Sequence, residues 1–155
     1  MESTNDLCRE VAGSCVCFNL RKATRLVTQL YDGVLRPSGL RTTQFTVLVA
    51  VSLSDSVPMS TLADLLGMDR TTLTRNLKSL RELGLVASAA GDDRRSRLIS
   101  LTESGRTALE SALPLWREAQ RRATELLGED RAGQLTPILA EVSSLVTETH
   151  MEVRT

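Results

Sequence analysis

Val16, Leu20, Ala23, Val27, Leu30 and Val34 recur at spacings of 4, 3, 4, 3 and 4. That is the period of an α-helix with one apolar face, and a strand would throw such a stripe onto both sides. The spacing predicts a helix over roughly Leu7 to Leu35, stopped by the breaker cluster Pro37-Ser38-Gly39. The period returns near the other end in Leu135, Ile138, Leu139, Val142, Leu145 and Val146. Two long apolar stripes thus flank a short middle. They require one helical layer that folds back on itself or pairs with a second copy, and a homodimer is the economical expectation. The 155 residues suffice for one domain, or a domain with a dimerisation element.

The middle reads as short elements. Thr42 or Thr43 is the expected cap of a helix carrying Phe45, Leu48 and Val51. Ser60 is the expected cap of the next, which Gly67 ends. Asp69 caps a helix from Arg70 to Leu83 that closes at Gly84. Leu85 to Ser88 and Arg97 to Leu101, joined by the charged tip Gly91-Asp92-Asp93-Arg94-Arg95, predict a hairpin. A long helix follows from Thr102 to about Leu127, with a kink expected at Pro114, and Gly128 precedes the last helix. The resulting organisation is an N-terminal dimerisation helix (1–41), a compact lobe (42–102) and C-terminal dimerisation helices (103–155).

Composition narrows the function. Lys and Arg number 19 and Asp and Glu number 19, so a generally polyanion-binding protein is excluded while a local basic face is not. The longest uncharged stretch, Thr42 to Ser54, is 13 residues, too short to span a bilayer as a helix. Charges at Glu2, Asp6, Arg9 and Glu10 stand where a signal peptide would be apolar, so no membrane association and a cytoplasmic location are expected. All three cysteines lie in the first 17 residues and His150 is the only histidine, so no second Cys/His pair completes a tetrahedral zinc site. A serine triad would need His150, near the C-terminal end, with no Gly-x-Ser-x-Gly elbow to serve it. His150 reads as a solvated surface residue. Neither metal nor cofactor is expected.

The residues that carry function are concentrated between Asp69 and Arg97. Seven basic residues against four acidic ones give this segment +3, so the rest of the neutral chain carries −3. A short helix, a turn at Gly67 and a second helix with arginines and hydroxyls near its start form a helix-turn-helix pattern. Leu73, Leu77 and Leu80 face inward, and Arg70, Thr71, Thr74, Arg75 and Lys78 face out. Arg70 and Arg75 can pair with guanine edges, while Thr71, Thr72 and Thr74 suit phosphates or a thymine methyl. Arg94, Arg95 and Arg97 on the hairpin suit a narrow minor groove.

The run from Leu62 to Arg75 (LADLLGMDRTTLTR), then Leu83-Gly84-Leu85-Val86, Asp93-Arg94-Arg95 and Leu101-Thr102-Glu103-Ser104-Gly105, resembles the MarR family of winged-helix transcription regulators. The resemblance covers the chain from about Leu20 to the last helix. It implies a mainly α fold with a small β-hairpin wing, that is, a winged helix-turn-helix with N- and C-terminal dimerisation helices. It also implies a homodimeric repressor of a pseudo-palindromic double-stranded operator. The Arg70–Lys78 helix would enter the major groove and the wing the minor groove. Asp93 and Arg95 then serve wing architecture and DNA contact, and Arg94 joins them on charge alone.

Family members release DNA in answer to a small phenolic or other aromatic effector, or to thiol oxidation. Cys17-Phe18-Asn19-Leu20 followed by Tyr31-Asp32 is similar to the branch that senses organic hydroperoxides, in which the Cys-Phe-x-Leu thiol reacts and a downstream tyrosine bonds to it. Fourteen residues of helix separate Cys17 from Tyr31 by about 21 Å, so they can meet only across antiparallel first helices of a dimer. The branch's second tyrosine is replaced here by Thr42. Cys15 and Cys8 are candidate resolving thiols, although Cys15 and Cys17 would face apart on an ideal helix. The alternative for Cys17 is a small buried hydrophobe. Two other functions compete: a thiol-dependent, peroxidase-like enzyme using Cys17, and a helical protein-binding adaptor.

Overall fold

A computed structural model describes residues 3–91 and 97–152, with side chains described as far as 148. The order is α1 (Thr4–Ser14), α2 (Val16–Leu35), a 3-10 turn (Arg36–Ser38), α3 (Thr42–Ser52), β1 (Val57–Pro58), α4 (Met59–Leu66), α5 (Arg70–Glu82), β2 (Val86–Ala90), β3 (Arg97–Leu101), α6 (Glu103–Leu127) and α7 (Glu129–Glu152). The fold is mainly helical, with a three-stranded antiparallel sheet in the order β1-β3-β2.

The single first helix expected from the apolar stripe is two helices. The break falls at Cys15, whose backbone is extended (φ −66°, ψ 113°). Gly13 and Ser14 are weak helix formers, and the Ser14 hydroxyl donates back to the Glu10 carbonyl at 2.8 Å. Cys15 then starts α2 as its cap, with Sγ accepting from the Phe18 N–H at 3.5 Å. A periodic stripe survives such a break because it records side-chain order rather than backbone continuity.

Other boundaries shift for identifiable reasons. Arg41, not Thr42 or Thr43, is the cap of α3, and Thr42 is its first helical residue. The carboxylate of Asp32 on α2 does the capping chemistry, its Oδ1 accepting from both the N–H and the hydroxyl of Thr42 at 2.7 Å. Gln44 Oε1 accepts from the Arg41 N–H at 2.9 Å. α4 begins at Met59 rather than after Ser60, because Val57 and Pro58 are drawn into a third strand, Val57 opposite Ile99. Proline is tolerated there because β1 is an edge strand. The second strand runs Val86–Ala90, slightly later than expected. α6 runs to Leu127 with Pro114 inside it, the extent the sequence predicts. Gly67 and Gly84 take the left-handed backbone expected after α4 and α5, with φ of 58° and 70°.

The core is centred on α3, which is apolar all round and buries Phe45, Val47, Leu48, Ala50 and Val51. Leu35 and Leu40 join it from one side, Leu62, Leu73, Leu77 and Leu80 from another, and Val57, Val86, Ile99 and Leu101 from the sheet. Leu109 and Ala112 of α6 close it. The outer helices leave apolar side chains in the open: Val16 is 70% exposed and Leu126 75%, with Phe18, Leu26, Val27, Leu135, Ile138 and Leu145 also exposed. Among the described residues no helix is long and apolar enough to cross a membrane.

Candidate nucleic-acid interface

α5 is placed by its two ends and by its leucine stripe. At the start, Asp69 Oδ1 accepts from the N–H groups of Thr71 and Thr72, both at 2.9 Å, and Oδ2 accepts from the Thr72 hydroxyl at 2.6 Å. These bonds, the Thr72 hydroxyl foremost, hold the Asp69 carboxyl below its ordinary value, with Arg75 adding a smaller attraction. Just before it, Gly67 lets α4 turn into α5, with the Met68 N–H bonded to the Ala63 carbonyl at 2.9 Å. Leu73 and Leu80 are fully buried and Leu77 nearly so, which fixes the rotation of α5 about its axis. Gln44 Nε2 adds a polar tie to Ser79 Oγ at 3.0 Å.

The Asp69 cap yields a pH prediction. A carboxyl whose folded value is depressed stabilises the fold above its unfolded value, near 4, and that contribution fades as pH falls through the folded value. Asp69→Ala should therefore lower Tm at neutral pH. Its deficit relative to the wild-type protein should close as the pH falls below about 4. A constant deficit from pH 7 to pH 3 in calorimetric scans would remove the charge from the account of the cap.

With the leucines buried, Arg70, Thr71, Thr74, Arg75 and Lys78 are all exposed, as the sequence predicts, and Thr72 is half-buried. The hydroxyl protons of Thr72 and Thr74 are used locally, Thr74 donating to the Arg70 carbonyl at 2.6 Å. Their methyl groups and oxygen lone pairs remain for a partner. Lys78 lies 3.8 Å from Glu82, a solvent-exposed pair of little strength. The outward residues divide by helical spacing into two rows. Thr71, Arg75 and Lys78 form one, and Arg70 and Thr74, continued by Arg81, line a cleft against the sheet with Arg97. Arg97 is exposed at the start of β3, opposite Ala90. Asp93, Arg94 and Arg95 lie outside the described residues.

The redox candidates are dispersed. Cys8 and Cys17 are exposed and Cys15 is half-buried at the helix break. Because Cys15 has extended backbone, the geometry of an ideal helix does not govern its relation to Cys17. Within the single chain Tyr31 donates its phenolic proton to Gln120 Oε1 of α6 at 2.7 Å, and partial burial pushes the phenol above its ordinary value.

Three structural residues escaped sequence reasoning. Asp32 and Gln44 act on chain positions remote from their own helices, and Gln120 is 89 residues from Tyr31. The Gln at the third position of α3 carries the one local signal, a capping box.

The model of the MarR family matches residues 38–96, from the turn before α3 into the wing. The organic hydroperoxide resistance transcriptional regulator of Bacillus subtilis (strain 168) is 30% identical over 101 residues, which cover 64% of this chain and 69% of that one. The chain spans about two thirds of the length of the curated relatives it matches, 66% and 69% in two of them. Among solved structures, the M. tuberculosis transcriptional regulator MosR in complex with DNA is similar at a TM-score of 0.80 and 43% identity, over 88% of this chain and 98% of that one. The transcriptional repressor CouR bound to a 23-mer DNA duplex is similar at 0.75 and 28% identity, over 86% and 95%. CouR from Rhodococcus jostii RHA1 bound to p-coumaroyl-CoA follows at 0.71 and 25%, over 84% and 93%. The names of these proteins are those of transcriptional regulators, which favours the regulator over the peroxidase alternative. On the winged helix-turn-helix fold and these matches, the chain belongs to the MarR family of transcriptional regulators.

Proposed function

We propose that the chain is a homodimeric repressor that binds a pseudo-palindromic double-stranded operator. The observation that carries this reading is α5, whose leucines are buried while Thr71, Arg75 and Lys78 stand in an open row beside a capped N-terminus. Arg75 reads base edges in the major groove, Thr71 and Lys78 hold phosphates, and Asp93, Arg94, Arg95 and Arg97 carry the wing into the minor groove. Residues 1–41 and 103–155 form the dimer layer, because the apolar side chains exposed on α1, α2, α6 and α7 need a partner. The two α5 helices then stand about 34 Å apart, one turn of the duplex, and a small rotation between subunits releases DNA. MosR and CouR, which share the fold and were solved on DNA, support the reading.

Two signals are supported by particular observations. A small aromatic effector fits the p-coumaroyl-CoA complex of CouR. Oxidation of Cys17, with Cys15 or Cys8 resolving it, fits the exposed thiols and the hydroperoxide regulator of Bacillus subtilis. Tyr31 then serves the partner's thiol only after leaving Gln120.

The test is a titration of the purified protein against its own upstream DNA and a random duplex of equal length, with and without an organic hydroperoxide. Salt-dependent binding that prefers the upstream DNA supports the regulator. Loss with hydroperoxide and recovery with a thiol reductant assigns the signal to the cysteines. Specific binding indifferent to the oxidant removes them from the switch and turns the search to aromatic ligands. Equal affinity for both duplexes overturns the operator reading for that DNA.

A further inference from the structure

We propose that the cleft between α5 and the wing is a phosphate track in which Arg81, with Arg70 and Arg97, grips the duplex strand that runs between the two grooves. The inference rests on the docking of α5 and wing described above and adds a residue and a role to it.

One wall of the cleft is the α5 row Arg70, Thr74, Leu77 and Arg81, spaced 4, 3 and 4, and the other is Ser88, Arg97 and Ile99 of the sheet, enclosing about 230 Å3. Arg70 and Arg81 are eleven residues apart, about 16 Å along the helix. Among the described residues no carboxylate lines this cleft. Among the described residues, none of the three arginines takes part in an ion pair. Among the described residues four arginines elsewhere, Arg9, Arg106, Arg121 and Arg122, are neutralised by an acid on their own helix, whereas the cleft arginines, like Arg75 on the neighbouring row, keep their charge free for a partner.

Three like charges converging on one cleft repel one another, and an anionic chain lying between them relieves the repulsion. The floor strengthens that attraction, since Leu77 and Ile99 are 3% and 2% exposed and hold water away on one side. Guanidinium forks match phosphate oxygens bidentately. Geometry supplies the phosphate. When α5 occupies the major groove and the hairpin the adjacent minor groove, the sugar–phosphate strand separating those grooves passes between the helix and the hairpin. That space is this cleft. Arg81 lies near the end of α5, so its contact is with the backbone and independent of sequence, while Arg75 on the other row keeps the base edges.

The experiment compares wild-type protein, Arg81→Ala and Arg81→Lys on operator and random duplexes, between about 50 and 200 mM salt. Arg81→Ala should weaken binding to both duplexes by the same factor. It should also reduce the slope of log affinity against log salt by about one per subunit, and Arg81→Lys should retain most of the slope. A wild-type slope in Arg81→Ala would reduce Arg81 to a charge complementing the end of α5 and overturn the proposal, with the operator reading intact. Wild-type protein that binds neither duplex would overturn both. A rise in Tm with inorganic phosphate that Arg81→Ala abolishes, together with an unchanged salt slope, would make the cleft a free-anion site and also overturn it. Arg81 is exposed, so circular dichroism should show both variants folded.

Discussion

Gly105→Ala is expected to destabilise the fold by about 2 kcal/mol or more, although alanine is the better helix former. A Cβ at Gly105 would sit 2.0 Å from the Leu85 carbonyl oxygen and 3.0 Å from its carbon. Both are backbone atoms, and neither can swing aside as a side chain would. The same carbonyl accepts from the Thr102 N–H at 3.1 Å, the Thr102 hydroxyl donates to the Gly84 carbonyl at 2.6 Å, and Gly105 N–H donates to Thr102 Oγ1 at 3.0 Å. Adding the methyl group must drive the start of α6 away from the turn between α5 and β2 and break these bonds. Gly133→Ala is the control. It lies inside α7, nothing stands within 4 Å of its added Cβ in the chain, and a gain of up to about 1 kcal/mol is expected from helix propensity alone. Urea titrations at one fixed protomer concentration should show the two variants moving in opposite directions. Equal stability of Gly105→Ala and wild-type protein would mean that α6 does not approach Leu85 this closely.

Arg75→Ala is expected to weaken operator binding by roughly 1–3 kcal/mol per half-site and to relax base preference. Both subunits of a dimer carry the change, so the total loss should exceed tenfold. Arg75 stands in the open row of α5, where a guanidinium can reach guanine edges, and it makes no contribution to the leucine face. Arg95→Ala should instead weaken operator and random duplex more evenly, as a contact to the minor groove and backbone would. Fluorescence anisotropy on the operator, a set of single-base variants and a random duplex distinguishes the two patterns. If both variants bind the operator like wild-type protein, neither α5 nor the wing is the DNA-reading element.

Much of the candidate interface is legible in the sequence because its determinants are local. Asp69, the leucines at 73, 77 and 80, and Gly84 lie within one helix and its caps, and the structure places each as its spacing predicts. The first helix misled for the same reason. Its stripe is continuous in side-chain order, while the break at Cys15 depends on two weak helix formers and a local hydrogen bond. β1 was invisible because two residues carry no periodicity, and Val57 becomes a strand only when Ile99 is beside it. Arg81 is one of the seven basic residues of the segment and carries no local signal of a role, since its cleft exists only after the hairpin folds back along α5.

The amino-acid order alone therefore determined most of the helices, the buried faces of α3 and α5, the turn glycines and the basic character of the segment from Asp69 to Arg97. Each follows from a repeat of 3.6 residues, a cap, or a backbone angle that only a few residue types accept. Tertiary structure decided what those elements meet. Asp32 caps a helix other than its own, Tyr31 bonds across 89 residues to Gln120, and Gly105 is glycine because a carbonyl twenty residues earlier occupies the space a methyl would need. Such contacts join parts of the chain whose separation in sequence bears no relation to their distance in space. They are set by the packing of the whole core, and no local pattern records them.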